Sequence, residues 1–331
     1  MNEHLANFFA DKRAHVAALS PSASELLDGV SDLTMRGGKR LRCLVLYAGF
    51  RAAGGASDPG KVLDLAAAIE LLQSYFLIQD DWMDDDAERR GGPAVHAAFG
   101  ARRGDAKLGA SLAILASDLA AGFAFELLHR GATATTGTRT RAVLDTFTQM
   151  HTEVVCGQQL DLLEHLEVAR THDLKTGSYT VRGPLRLGAL MGSADPTQLD
   201  ALERFGRPIG VAFQLRDDLL GTFGDPRLTG KPAGHDLREG KNTLLVSEAR
   251  KLLDPTSWAR VELVLGSSTA SAEALEVATG LLESSGARAR VEAHLAALVA
   301  EAEQALTAAP LAPEGVDMLR QLLRKLVLRD R

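Results

Sequence analysis

Between Leu71 and His96 the chain reads LLQSYFLIQDDWMDDDAERRGGPAVH, an apolar run that ends in Asp80, Asp81, Asp84, Asp85 and Asp86 and is followed by Arg89 and Arg90. On a helix Asp80, Asp81 and Asp84 fall within about 100° of arc, because residues i and i+4 nearly eclipse. Like charges at that spacing repel. Negative charge near a helix C-terminus also opposes the macrodipole. A merely solvated acidic helix end leaves both costs standing, so something positive must offset them. Clustered carboxylates with no His or Cys among them suit a hard cation, and Mg²⁺ fits best where phosphates supply further oxygens. Arginine matches phosphate oxygens in a bidentate fork. The pattern points to a diphosphate held between Mg²⁺ and arginines.

The theme recurs in FQLRDDLLGTFGDPRLTGKPAGHDLREGKNTLL, residues 213 to 245. Asp217 and Asp218 close a second apolar run, and Lys231 and Lys241 follow it. The piece from Gly224 to Lys231 is not a Walker A loop: its spacing is one residue too long, Pro232 stands where Ser or Thr belongs, and no strand precedes it. Earlier, RGGKRLR (36 to 42) puts Gly37 and Gly38 before Lys39, Arg40 and Arg42 at an expected helix start. Backbone amides and cations there suit an anion. Lys175, in LKTGSYTVRGPL, is a further basic site.

The elements that must position these groups are helices. Ala and Leu dominate, and apolar residues recur at helical spacing. The periodicity predicts long helices over 62–84, 108–128, 141–165, 198–220 and 289–307. In the last of these Val291, Leu295, Leu298, Val299 and Leu306 share one stripe. Gly- and Pro-rich punctuation falls at 36–38, 52–60, 90–93, 130–138, 224–234, 266–271 and 309–315. No run alternates like a strand. The expectation is one all-α domain over residues 1–331, a helical bundle around a central cavity.

Composition narrows the partners. With 331 residues, 46% hydrophobic and a formal net charge of −6, the chain can bury a large core and shows no long basic stretch, so nucleic acid is not an expected partner. Apolar runs are read as broken short of a membrane span, which predicts no stable membrane insertion. The N-terminal MNEHLANFFADKRAHVAAL does not read as a signal peptide. Cys43 and Cys156 are the two cysteines; neither a disulfide scaffold nor a zinc cluster is expected, and the default location is a reducing cytoplasm.

These motifs, in this order, resemble the trans-isoprenyl diphosphate synthases of the polyprenyl synthetase family. DDWMDDDAERRG resembles the family's first aspartate-rich motif and FQLRDDLLGTFGD the second, with GKPAGHDLREGKNT as the lysine loop after it. KTGSYT and GQQLDL (157 to 162) match two further signatures. The resemblance implies an isoprenoid synthase fold, a homodimer, and prenyl transfer. An allylic diphosphate (dimethylallyl, geranyl or farnesyl) would bind through three Mg²⁺ ions, with Mn²⁺ as a substitute, and ionise. Isopentenyl diphosphate would then attack the cation. By position, Asp80 and Asp84 would ligate metal from one wall, with Asp81 supporting, and Asp217 from the facing wall. Arg89, Lys175 and Lys231 would hold the allylic diphosphate, and Lys39, Arg42, Gln73 and Arg90 the isopentenyl diphosphate. Thr176, Gln214 and Lys241 join the substrate-binding set.

Three departures stand out. Gly221 occupies the place of the second motif's last aspartate, so an outer oxygen ligand is expected to be missing there and an aspartate at 221 to restore it. Gln73 stands where many bacterial members carry histidine. Asp85 and Asp86 are extra charge, expected to be solvated. Tyr75 and Phe76 precede Asp80 by five and four residues, which puts Phe76 about 5.4 Å below Asp80 on one face. In this family aromatics here go with short products, which favours farnesyl diphosphate, with geranylgeranyl diphosphate next. A class I terpene cyclase shares the fold and the metal-assisted ionisation, and Asp217, Gly221 and Asp225 even follow its i, i+4, i+8 spacing. It needs no isopentenyl diphosphate site, so Lys39, Arg42 and Gln73 speak against it. A non-catalytic partner subunit is the other alternative.

Overall fold

The computed structural model describes residues 1–163, 170–171, 173–225, 234–267, 269–307 and 309–327. The chain packs as two compact units, Met1–Thr148 with Pro184–Ala194, and Gln149–Gly183 with Asp195–Arg331.

The first unit is built on α1 (Asn2–Leu19), α2 (Ser24–Met35), α3 (Leu41–Ala52), α4 (Leu63–Met83), α5 (Val95–Arg103), α6 (Ala106–Ala132), the N-terminal half of α7 (Thr138–Leu162) and α8 (Gly183–Met191). Its centre is α4, apolar nearly all round as a core helix must be. Leu65, Ile69, Leu71 and Leu72 are 0% exposed and Ile78 is 1% exposed. Each such side chain contributes about 2 kcal/mol by leaving water. α4 lies along α6, whose buried Ala113, Ala116, Ala120 and Ala124 are small and whose Gly131 lies against Leu65 of α4, while Gly109 lets α5 approach. α1 docks on the same helix, with Phe8 edge-on to Phe123 at 5.5 Å between ring centres. Gly49 on α3, Gly188 on α8 and Gly192 just past its end let the two backbones touch: a Cβ at any of them would run into main-chain oxygen.

The second unit centres on α9 (Pro196–Phe223), which starts in a capping box between Asp195 and Gln198. It buries Ala201, Leu202, Phe205, Ile209, Ala212, Leu215 and Leu219 at helical spacing. Around it stand a π-helix (Asp173–Arg182), α10 (His235–Arg238), α11 (Leu244–Leu252), α12 (Pro255–Glu262), α13 (Ala272–Ser284), α14 (Ala287–Thr307) and α15 (Pro313–Val327). Gly177 of the π-helix meets Gly210 of α9 nearly backbone to backbone; a Cβ at Gly210 would lie 3.0 Å from the Gly177 Cα.

The all-α expectation holds, and the five helices read from periodicity are present with ends shifted by a few residues. Residues 164–165 of the third lie outside the described residues. Two local findings differ from the sequence reading. A two-residue hairpin, Glu88–Arg89 (β1) against Gly92–Pro93 (β2), occupies the RGGP punctuation. Also, Pro59–Met83 and Ala106–Ala132 reach the length and mean hydropathy (1.4 and 1.7) of a membrane span, so the apolar runs are longer than read. Alanine and glycine, mild in hydropathy, carry the run past its leucines. In the first of these segments 67% of the apolar window is buried inside the protein. Cys43 and Cys156 are both free thiols.

Candidate active site

The first aspartate cluster sits at the C-terminal end of α4. Helix periodicity sorts its members by face. Asp81 continues the buried line Ser74–Ile78, and is itself 0% exposed. Asp80 continues a half-buried line through Gln73, Phe76 and Leu77, and Asp84, one turn on, is exposed at the helix cap. The repulsion anticipated from the sequence is met inside the protein: Arg89 donates to Asp81 Oδ1 at 2.5 Å and to Asp86 Oδ2 at 2.8 Å. Burial pushes the Asp81 carboxyl up to about 6, with Arg89 pulling the other way. Asp86 is therefore tied to Arg89 rather than simply solvated, because the hairpin folds its arginine back over the helix end. Asp85 is exposed.

The hairpin owes its shape to Arg90 (φ 53°) and Gly91 (φ 71°), the two left-handed positions of a type I′ turn. Arg36, at the end of α2, fastens both strands by donating to the carbonyls of Arg89 (3.1 Å) and Pro93 (2.8 Å). Its guanidinium fills the space a side chain at Gly92 would need. Arg90 donates to the Leu33 carbonyl at 3.2 Å, and its guanidinium lies beside Gly38. Thus the RGGKRLR loop and the hairpin arginine, read from separate motifs, are brought together. Burial lowers the Arg90 pKa, and Arg40 and Arg42 press in the same direction while Glu70 opposes them.

Glu70 is the counter-charge that sequence reasoning missed. It is 2% exposed on α4 and pairs with Arg40, which also donates to the Thr34 carbonyl at 2.8 Å. Arg40 takes a left-handed φ of 48° at the cap of α3, so that Lys39 precedes the helix and Arg42 stands in its first turn. Lys39 is exposed; Arg42 and Gln73 are half-buried. Tyr75 and Phe76 touch, with ring centres 5.0 Å apart, and both stay half-buried instead of joining the core. Burial raises the Tyr75 pKa against a hydrogen bond with Gln79.

In the second unit, Asp217 is half-buried and Asp218 buried near the end of α9. Gln214, expected to meet substrate, donates to Asp218 Oδ1 at 2.9 Å. Burial pushes the Asp218 carboxyl up to about 7, and the charges of Asp236 and Asp217 add to that push. Lys175, on the π-helix, pairs with Asp161 of the GQQLDL motif at 2.6 Å, which joins two signatures that the sequence left separate. Gly157 of the same motif has the Lys175 backbone against it. Thr176 is half-buried beside Lys175. Lys241 bridges Asp236 (3.3 Å) and Glu239 (2.6 Å). Lys231 lies outside the described residues.

The space beside Gly221 is occupied by Asp236. A Cβ built there would fall inside the Asp236 carboxylate, overlapping Oδ2 and lying 2.8 Å from Oδ1. An aspartate at 221 therefore has no room unless Asp236 moves. Asp236 was legible in GHDLREGK as a residue, but its placement against α9 is a tertiary fact.

The donor set fits Mg²⁺. The groups at the end of α4 are carboxylate oxygens, and the buried Asp81 Oδ2 has no hydrogen-bond partner among the described residues. Among those residues no three His, Cys, Asp or Glu close on one point as a ready cage. Mg²⁺ takes one or two carboxylates and completes its shell from substrate phosphates and water.

Comparison with known proteins gives the family. The family model for polyprenyl synthetase matches residues 24–282. A short chain isoprenyl diphosphate synthase of Methanothermobacter thermautotrophicus is 35% identical over 276 residues, covering 81% of this chain and 81% of the relative. A (2E,6E)-farnesyl diphosphate synthase of Mycobacterium bovis is 32% identical over 299 residues, 86% of this chain and 74% of the relative. The crystal structure of geranylgeranyl pyrophosphate synthase from Corynebacterium glutamicum, complexed with isoprenyl diphosphate and magnesium, has a TM-score of 0.89 at 34% identity and covers 100% of this chain and 97% of that one. Fold, motif order and these likenesses converge: the chain belongs to the polyprenyl synthetase family and is a short-chain isoprenyl diphosphate synthase, a prenyltransferase.

Proposed function

We propose that the chain condenses isopentenyl diphosphate with an allylic diphosphate, dimethylallyl or geranyl, and stops at farnesyl diphosphate, with geranylgeranyl diphosphate as the alternative main product. One observation carries this reading: α4 runs Gln73, Phe76 and Asp80 along one half-buried face, with Asp84 a turn beyond. A diphosphate anchored at the carboxylate end directs its hydrocarbon down an apolar line that meets Phe76 and Tyr75 within about two turns.

Asp80, Asp84 and Asp217 would hold three Mg²⁺ ions, or Mn²⁺ in their place. When bound, the metal neutralises charge that develops on the departing pyrophosphate. Arg89, Lys175 and Lys231 add cationic donors to the same oxygens. Asp81 and Asp86 fix the Arg89 guanidinium, and Asp161 fixes Lys175, so both are aimed before substrate arrives. Lys39, Arg42, Gln73 and Arg90 hold isopentenyl diphosphate, and Thr176, Gln214 and Lys241 complete the polar set. The allylic C–O bond breaks with its electron pair leaving on pyrophosphate. The double bond of isopentenyl diphosphate attacks the cation to form the new C–C bond, and loss of a proton restores the alkene. Apolar walls keep water from the cation.

We further read residues 1–331 as one all-α domain, since a single family model spans residues 24–282, and the protein as a cytoplasmic homodimer with neither stable membrane insertion nor nucleic-acid partner. Asp80→Ala and Asp217→Ala test the metal assignment: each should abolish turnover while leaving the helical circular dichroism intact. Full activity in either variant would remove that residue from the site.

A further inference from the structure

Arg36 opens the RGGKRLR loop but stands outside the groups assigned to either substrate. We propose that Arg36 is a positioning residue: by clasping the β1–β2 hairpin it sets Arg90 against the loop of Lys39 and Arg42, and so shapes the isopentenyl diphosphate site. The inference rests on the reading above, in which Lys39, Arg42, Gln73 and Arg90 hold that substrate.

The hairpin is too small to hold its own shape. It has two residues per strand, and Pro93, opposite Glu88, has no N–H to give the ladder. Two-stranded ribbons alone are marginal in water even when longer. Arg36 supplies the missing tie. One guanidinium nitrogen, Nη1, donates to a carbonyl on each strand, that of Arg89 at 3.1 Å and that of Pro93 at 2.8 Å. The rest of the fork, Nε and Nη2, is held by Asp32 Oδ2 one turn back on α2. The Arg36 side chain is 16% exposed, so α2 itself aims it. The hairpin answers in kind, since Arg90 donates to the Leu33 carbonyl of the same helix. Arg36 and Arg90 thus form a two-way clasp between the end of α2 and the ribbon. The main chain of Arg36 leads straight into Gly37 and Gly38, at φ 105° and 127°, and Gly38 lies beside the Arg90 guanidinium. One residue therefore governs both the loop that carries Lys39 and the ribbon that carries Arg90. Asp32 already balances its charge, so its contribution is geometry. Gly92 completes the arrangement: a Cβ there would lie 2.7 Å from Nη1, so glycine gives the guanidinium its seat. Arg89 has anchors of its own in Asp81 and Asp86, which leaves the allylic site less dependent on the clasp.

The test is steady-state kinetics of the full chain, with isopentenyl diphosphate and geranyl diphosphate each varied at saturating partner. Arg36→Ala should raise KM for isopentenyl diphosphate about tenfold, below the roughly 100-fold that a misplacement of about 1 Å can cost, while KM for geranyl diphosphate stays within about twofold. Gly92→Ala, which evicts the guanidinium without removing it, should raise the same KM in the same sense. In the double variant Gly92→Ala should add nothing to Arg36→Ala, since its methyl group acts only through Arg36. A merely structural role would lower kcat through lost folded enzyme and treat the two substrates alike; thermal unfolding by circular dichroism checks that each variant is folded. An unchanged KM for isopentenyl diphosphate in Arg36→Ala, equal rises for both substrates, or additive effects in the double variant would overturn the proposal. Arg90→Ala separates the two levels: if it raises KM for isopentenyl diphosphate while Arg36→Ala does not, only the present inference fails. If Arg90→Ala leaves that KM unchanged, the reading of the isopentenyl diphosphate site falls and this inference with it.

Discussion

At the scale of single residues, the candidate charges of each unit come with neighbours built in. Arg89 is committed to Asp81 and Asp86, Lys175 to Asp161, and Lys241 to Asp236 and Glu239. The types and order of these charged residues were legible in the sequence, because they stand in recognisable runs of carboxylates and cations. Their partners were not, because Asp161 to Lys175 and Glu70 to Arg40 are contacts across 14 and 30 positions. Glu70 shows the cost of missing one. A buried pair broken from one side leaves an uncompensated charge, at about 3 kcal/mol or more. Glu70→Ala should lower the unfolding free energy by about that amount in urea titration, and should raise KM for isopentenyl diphosphate, since Arg40 frames Lys39 and Arg42. A loss well below about 1 kcal/mol would mean that the Thr34 carbonyl and solvent suffice for Arg40.

At the scale of elements, α4 does most of the positioning. One helix presents a buried face, with Asp81 at its end, and a half-buried face, with Asp80 at its end. Its extent followed from apolar periodicity alone. The β1–β2 hairpin did not, since two-residue strands carry no periodicity, although ERRGGP contains the glycine that a type I′ turn requires. The neighbour of Gly221 was not legible for a related reason. A glycine in a helix looks like a missing side chain until the neighbour that fills its space is known. The helix also carries the chain-length hypothesis. Replacing Tyr75 and Phe76 together by alanine should shift the product to C20 or longer, measured by chromatography of the dephosphorylated prenyl alcohols. An unchanged spectrum would place the floor on another element.

At the scale of the molecule, the chain forms two compact helical units, and one family model runs through both. The all-α class was readable from composition and periodicity, whereas the division into units was not: no linker composition marks positions 148, 184 or 194, because the boundaries fall in or beside helices. The central claim is that the protein is a metal-dependent prenyl-elongating enzyme of short product length. The most direct measurement is a product assay with labelled isopentenyl diphosphate and each allylic starter in turn, with and without Mg²⁺, read by carbon number. The account predicts Mg²⁺-dependent condensation that ends at C15, with C20 as the only substantial longer product. Condensation that proceeds unchanged after chelation of divalent metal, or that runs on to much longer chains, would contradict it.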